Sequence, residues 1–198
     1  MQRFDAVVLA GGGARRLGGL DKAALRIGQV PLLDRALEAV AGASRIVVVG
    51  PERAVPSGVL VVGDRPPGGG PVSALAAAVP TLRSPLVVVL ACDMPFVTAA
   101  VVERLLAACG PLDADPDLGR VEGALLVDGD GRRQYLAAAY RVPALTRALG
   151  DAGPPHGQSM RSLVRRLTVA EVAANPEETL DIDTWDDAER SRALLEDR

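Results

Sequence analysis

FDAVVLAGGGARRLGGLDKAAL, residues 4–25, passes from an unbroken apolar run into five glycines, two arginines and one lysine, with almost no bulk between them. The run FDAVVLA does not alternate apolar with polar, which suits a strand covered on both faces. The glycines that follow let backbone N–H groups approach a ligand and point at phosphate oxygens, while Arg15, Arg16 and Lys22 supply charge that glycine lacks. In open α/β sheets ligands bind beyond the carboxyl ends of the strands, and the first strand-to-helix connection is a usual phosphate site. The stretch therefore reads as a polyphosphate cradle. The competing reading is a Gly-rich turn whose arginines are merely solvated.

Two better-known loops fail on these residues. A Walker A loop needs Gly-Lys followed by Ser or Thr, whereas Lys22 follows Asp21 and precedes Ala23. The dinucleotide fingerprint needs glycine at the sixth position, where counting from Gly11 gives Arg16.

Outward from this stretch, short β-branched runs recur at 6–10, 45–50, 59–63 and 84–92, with helical patterns at 31–42, 71–82 and 97–110 between them. That alternation predicts an α/β fold with a mostly parallel sheet and right-handed crossovers. The second half is less regular. A polar Pro/Gly-containing loop spans 110–120, and two strand-like runs, 122–128 and 132–140, are joined by the turn GDG as a hairpin. Helices are expected at 142–150, at 157–167 and from Trp185 to the C-terminus.

Composition sets the outer limits. The 198 residues, 48% hydrophobic and 24% charged, suffice for one well-filled core, so a single domain is expected over 1–198. A net charge of −3 gives no general attraction to nucleic acid, so any anion site must be local and the partner small. Two cysteines, Cys92 and Cys109, and the lack of an 18-residue apolar stretch or signal peptide point to a cytoplasmic protein without membrane contact.

LAGGGARRLGGLDKAAL resembles the signature of the molybdopterin nucleotidyltransferases, which make molybdenum dinucleotide cofactors, and in particular of their guanylyltransferase branch, approximately LAGG-x-S-x-R-M-GG-x-DK-x-L. The resemblance continues through GQVPLLDRAL (28–37), VVGDRPPGGGPVSAL (61–75), VVVLACDMPFV (87–97), RRQYLAAAYR (132–141) and TLDIDTWDDAER (179–190), in order along the chain. It implies a single three-layer Rossmann-like domain, residues 1–110 forming the nucleotide-binding half and 111–198 the acceptor half. It also implies transfer of GMP from GTP to molybdopterin, with or without molybdenum, with release of pyrophosphate and with Mg²⁺ as cofactor. Transient contact with proteins that supply molybdopterin or receive the product goes with that role.

Residue by residue, the resemblance places Leu9, Ala10 and Gly11 around guanine and ribose, with Gly12 and Gly13 in the same cradle. It puts Lys22 on the phosphates, Asp64 on the nucleotide and Asp93 on magnesium, and aligns Arg16 with the motif arginine; Lys22, Arg16 and Asp93 are the expected catalytic groups. Ala14 stands where Ser is usual, Leu17 replaces Met, and Gly50 falls where an Asn is often found. DIDT (181–184) has the Asp of the cytidylyl relatives, whereas LAGG and GPVSAL favour the guanylyl branch. The alternatives are a cytidylyltransferase, another small-molecule nucleotidyltransferase, or an inactive nucleotide-binding adaptor.

Chemistry can be argued beside the resemblance. Asp93 ends an apolar strand at the same sheet edge as the glycines, where a carboxylate needs a cation or hydrogen bonds. Asp181 and Asp183 share a face if the segment is extended, so Asp183 is a candidate second metal ligand. Read instead as a helix start, DTWDDAER has Asp183 or Thr184 as the cap. Arg132 to Tyr135, with Arg161, Arg165 and Arg166, are candidates for an anionic pterin phosphate, and His156 reads as a loop residue.

Overall fold

The computed structural model describes residues 2–11, 19–63, 68–112 and 121–196. In chain order the elements are β1 (Phe4–Leu9), β2 (Arg26–Ile27), β3 (Val30–Pro31), α1 (Leu32–Ala39), β4 (Ile46–Val49), β5 (Leu60–Val62), α2 (Pro71–Ala78), β6 (Leu86–Ala91), α3 (Ala99–Ala108), β7 (Gly123–Val127), β8 (Arg133–Arg141), α4 (Val142–Ala152), α5 (Met160–Val164), β9 (Val169–Ala173) and α6 (Trp185–Glu196). Seven strands form one sheet in the order β5-β4-β1-β6-β8-β7-β9. Only β8 runs against its neighbours; the remaining pairings are parallel. The hairpin of the second half is thus built into the main sheet, and β2 with β3 makes a separate two-stranded piece.

Successive strand residues point to opposite faces, and this explains the unbroken apolar runs. Ala6, Val8, Val88 and Leu90 pack on α1 and α3 through Leu33, Leu37, Val101 and Leu105. Val7, Leu9, Val87 and Val89 pack on the other face against Leu75, Leu145 and Leu163 of α2, α4 and α5. The result is the three-layer, mostly parallel α/β architecture read from the sequence. Asp5 is a fully buried charge within β1. Its carboxylate accepts from the Arg83 and Ser84 amides at 2.5 and 2.9 Å and from the Ser84 hydroxyl at 2.7 Å, which offsets its desolvation and ties the entry of β6 to β1.

Three segments differ from expectation. Helix α2 stops at Ala78 and continues as a 3-10 turn over Val79–Thr81, because Pro80 has no N–H to extend the α-helix. Helix α5 starts only at Met160: Gly157 has φ of +72°, and Ser159 caps the helix by accepting from the Ser162 amide at 3.1 Å. Strand β9 went unread, although Ala170, Val172 and Ala174 alternate inward on the α3 face.

Candidate active site

Strand β1 lies between β4 and β6, with Leu9 in register with Val49 on one side and Ala91 on the other. The strand order reverses there: β1, β4 and β5 step one way across the sheet and β6 returns to the far side of β1. Helices α1 and α2 cover opposite faces, the arrangement in which doubly wound sheets bind ligands beyond the carboxyl ends of their strands. Leu9, Ala10 and Gly11 line that edge. The Leu9 carbonyl accepts from Cys92 at 3.0 Å, and the Ala10 amide donates to Val49 at 2.8 Å. Gly12, Gly13, Arg16 and Asp64 lie outside the described residues.

Lys22 opens a 3-10 turn, Lys22–Ala24, and its ammonium reaches back to the sheet edge. It donates to Asp93 Oδ2 at 3.1 Å and to Asp183 Oδ1 at 2.5 Å, although the three residues are separated by 71 and 161 positions. The Lys22 side chain is 16% exposed, Asp93 23% and Asp183 50%. Burial pulls the ammonium's pKa down, but the hydrogen bond to Asp183 and the attraction of Asp93 outweigh it and hold Lys22 above the usual lysine value.

The terminal segment resolves its two readings into different residues. Thr184 is the helix cap: its hydroxyl accepts from the Asp187 amide at 3.2 Å while Asp187 Oδ2 accepts from the Thr184 amide at 2.8 Å. Asp183, one residue earlier, is left facing Lys22. The main chain fixes the segment, since the Ile182 amide donates to the Asp93 carbonyl at 3.0 Å and Ile182 is fully buried beside Ile27, Leu32 and Ala188. Partial burial, and then the charges of Asp183 and Asp93, push the Asp181 carboxyl up. Burial, followed by the charge of Asp93, pushes the Cys92 thiol up to about 12, which leaves it protonated and a poor nucleophile near neutral pH.

Two carboxylates converging on one ammonium suit a small hard cation in shape and chemistry. Mg²⁺ is typically held by one or two carboxylates together with substrate phosphates. Among the described residues no group of three or more His, Cys, Asp or Glu is poised to hold a metal, and the carboxylates at this point are those of Asp93 and Asp183.

Other candidates stand further from this cluster's contacts. Arg133 is paired with Glu171 at 2.7 Å across β8 and β9. Arg161, Arg165 and Arg166 are exposed on and after α5, and His156 is exposed in the loop before it. The sequence reading missed Arg53, whose guanidinium bonds the Ala10 carbonyl and the Asp21 carboxylate. A lone arginine in PERAVP carries no periodic or motif signal.

The family described as the MobA-like NTP transferase domain matches residues 6–172. Molybdenum cofactor guanylyltransferases of Shewanella loihica and Shewanella sediminis are 29% and 30% identical over 159 residues, which is 76% of this chain and 76% of each relative. A solved structure from a Mycobacterium species superposes with a TM-score of 0.76 at 24% identity, covering 100% of this chain and 99% of that one. Molybdopterin-guanine dinucleotide biosynthesis protein A of Archaeoglobus fulgidus superposes at 0.72 and 20%, covering 98% and 100%. The structural likenesses carry the fold. No helix among the described residues is long and apolar enough to cross a membrane.

Proposed function

We propose, from the premise that this chain belongs to the MobA-like NTP transferase family and is a nucleotidyltransferase of molybdenum cofactor biosynthesis, that it transfers GMP from GTP to the terminal phosphate of molybdopterin. The observation that carries this reading is the Lys22 ammonium held between Asp93 and Asp183 at the carboxyl edge of β1. Residues 1–110 then serve the nucleotide, with Leu9, Ala10 and Gly11 against guanine and ribose, Gly12, Gly13 and Asp64 as further expected nucleotide contacts, and Arg16 among the expected catalytic groups. Residues 111–198 serve the acceptor, and the names of the Shewanella relatives support guanine over cytosine.

In this reading an oxygen of the acceptor's terminal phosphate attacks the α-phosphorus, a new P–O bond forms, and the bond to the β-phosphate oxygen breaks to release pyrophosphate. The acceptor phosphate is mostly dianionic at neutral pH, since its second pKa is about 6, so no side chain need act as a base. Lys22 turns from its carboxylates to the triphosphate and balances charge on the leaving group. Asp93 and Asp183 would hold Mg²⁺, which supplies further positive charge to the nucleotide oxygens. The chain's remaining task is to keep nucleophile and phosphorus in line.

The test is pyrophosphate release by purified protein given Mg²⁺, molybdopterin and either GTP or CTP, with Asp93→Asn as control. GTP-dependent release, reduced on the order of a hundredfold or more in Asp93→Asn, is the expected result. Release with CTP alone would move the protein to cytidylyl transfer. GTP binding without release by the wild type would make it an adaptor.

A further inference from the structure

Among the described residues, Arg53 is an enclosed cation beside the site that the proposed reaction leaves without a role. Its side chain is 11% exposed, in the connection that follows β4. Nη2 donates to the Ala10 carbonyl at 3.0 Å, Nη1 to Asp21 Oδ2 at 3.1 Å, and Nε to the Pro51 carbonyl at 3.3 Å. Asp21 Oδ1 in turn accepts from the Ala23 amide at 3.2 Å and so caps the turn whose first residue is Lys22. A set of contacts therefore runs from the end of β1 through Arg53 and Asp21 to the Ala23 amide in the turn that Lys22 opens, and from the Lys22 ammonium to Asp93 beyond β6.

We infer that Arg53 is a positioning residue for nucleotidyl transfer: it braces Asp21 against the end of β1 and thereby sets where the Lys22 ammonium stands relative to Asp93. This rests on the reading of Lys22 and Asp93 given above. A direct contact with substrate is the weaker assignment, because each guanidinium nitrogen already donates to a protein oxygen and the side chain is only 11% exposed. A role in overall stability is weaker too, since Asp21 is 52% exposed and ion pairs of that kind add little. The fork geometry matters. The Ala10 and Asp21 acceptors are served by different nitrogens of one rigid plane, which a lysine ammonium cannot reproduce.

Lys22 is the chain's only lysine, so protein grown with [¹³Cε]lysine gives one ε-methylene NMR signal, recorded without any substrate. Arg53→Ala should move that signal toward the position of a solvent-exposed lysine, whereas Arg53→Lys, which adds a second lysine, is read by activity and thermal midpoint alone. Both should lower kcat on the order of 10- to 100-fold, the cost of a small misplacement near the reacting groups, while the thermal midpoint stays within a few degrees of wild type. In a Lys22→Ala background Arg53→Ala should cost less than about twofold more, because a brace acting through Lys22 has nothing left to position. Asp21→Asn, which keeps an oxygen for the turn's cap but loses the ion pair, probes the same link from its other end if Arg53→Ala does not fold.

An unmoved lysine signal would overturn the brace. So would equal losses in both backgrounds, or full activity from Arg53→Lys. Wild-type protein inert toward every nucleotide would overturn the underlying reading of the site, and the substrate-free lysine signal tells that failure apart from failure of the brace.

Discussion

Gly50 shows how far a single position can be dictated by backbone that is remote in sequence. A Cβ there would stand 2.9 Å from both the carbonyl carbon and oxygen of Ala10 and 3.0 Å from the Gly11 amide, and neither group can swing aside as a side chain would. Any side chain there, the asparagine that the resemblance leads one to expect included, is therefore incompatible with this backbone. Gly50→Ala should cost about 1–3 kcal/mol, typical of forced overpacking, with a matching drop in the thermal midpoint and weaker nucleotide binding. Unfolding curves of the two proteins with and without GTP check it, and an unchanged midpoint would contradict the packing argument. That Lys22 and Asp93 meet at one sheet edge was legible in the sequence, because the glycine-rich stretch and CDMP each follow an apolar strand. Arg53 was not, since its partners are 32 and 43 residues away and nothing in PERAVP marks it.

At the scale of elements, the strands and helices of the first half could be read because both faces of the sheet are covered, leaving continuous apolar runs punctuated by Gly and Pro. Strand β9 is harder to read: its residues are only partly buried, and Glu171 interrupts the run to pair with Arg133. The two-residue strands β2 and β3 are too short for any period to show. One tie between elements carries a pH signature. Arg104 of α3 grips Glu178 through both carboxylate oxygens, at 3.2 and 2.6 Å, and Glu178 also accepts from the Asn175 amide at 2.9 Å. Burial pushes the Glu178 carboxyl up, but the Arg104 and Asn175 hydrogen bonds overcome this and hold it below its usual 4.5. A depressed acid contributes stability above its unfolded pKa and loses it as pH falls through the folded value. Glu178→Gln should therefore be less stable than wild type at pH 7, and the difference should shrink below about pH 4. Urea midpoints at pH 7 and pH 3 measure this, and a gap that persists unchanged would point to packing rather than charge.

Across the whole molecule, one sheet draws on both halves of the chain and one point at its centre collects residues from both. The pairing of Lys22 with Asp183 spans 161 residues and depends on the terminal segment returning to the sheet edge through Ile182. From sequence, the acidic stretch 181–187 supported a metal ligand and a helix cap equally, and only the folded chain makes Thr184 and Asp187 the cap and leaves Asp183 facing Lys22. The central claim is that the carboxyl edge of β1, with Lys22 and Asp93, takes a magnesium-bound nucleoside triphosphate, GTP by preference. Thermal unfolding with Mg²⁺ and each of GTP, CTP, ATP and UTP, for wild type and Lys22→Ala, tests it most directly. A ligand at about 100 times its dissociation constant adds roughly 2.7 kcal/mol to the folded state. A raised midpoint with GTP that is largely lost in Lys22→Ala is the expected result. No shift with any nucleotide, or an equal shift in the variant, would contradict it.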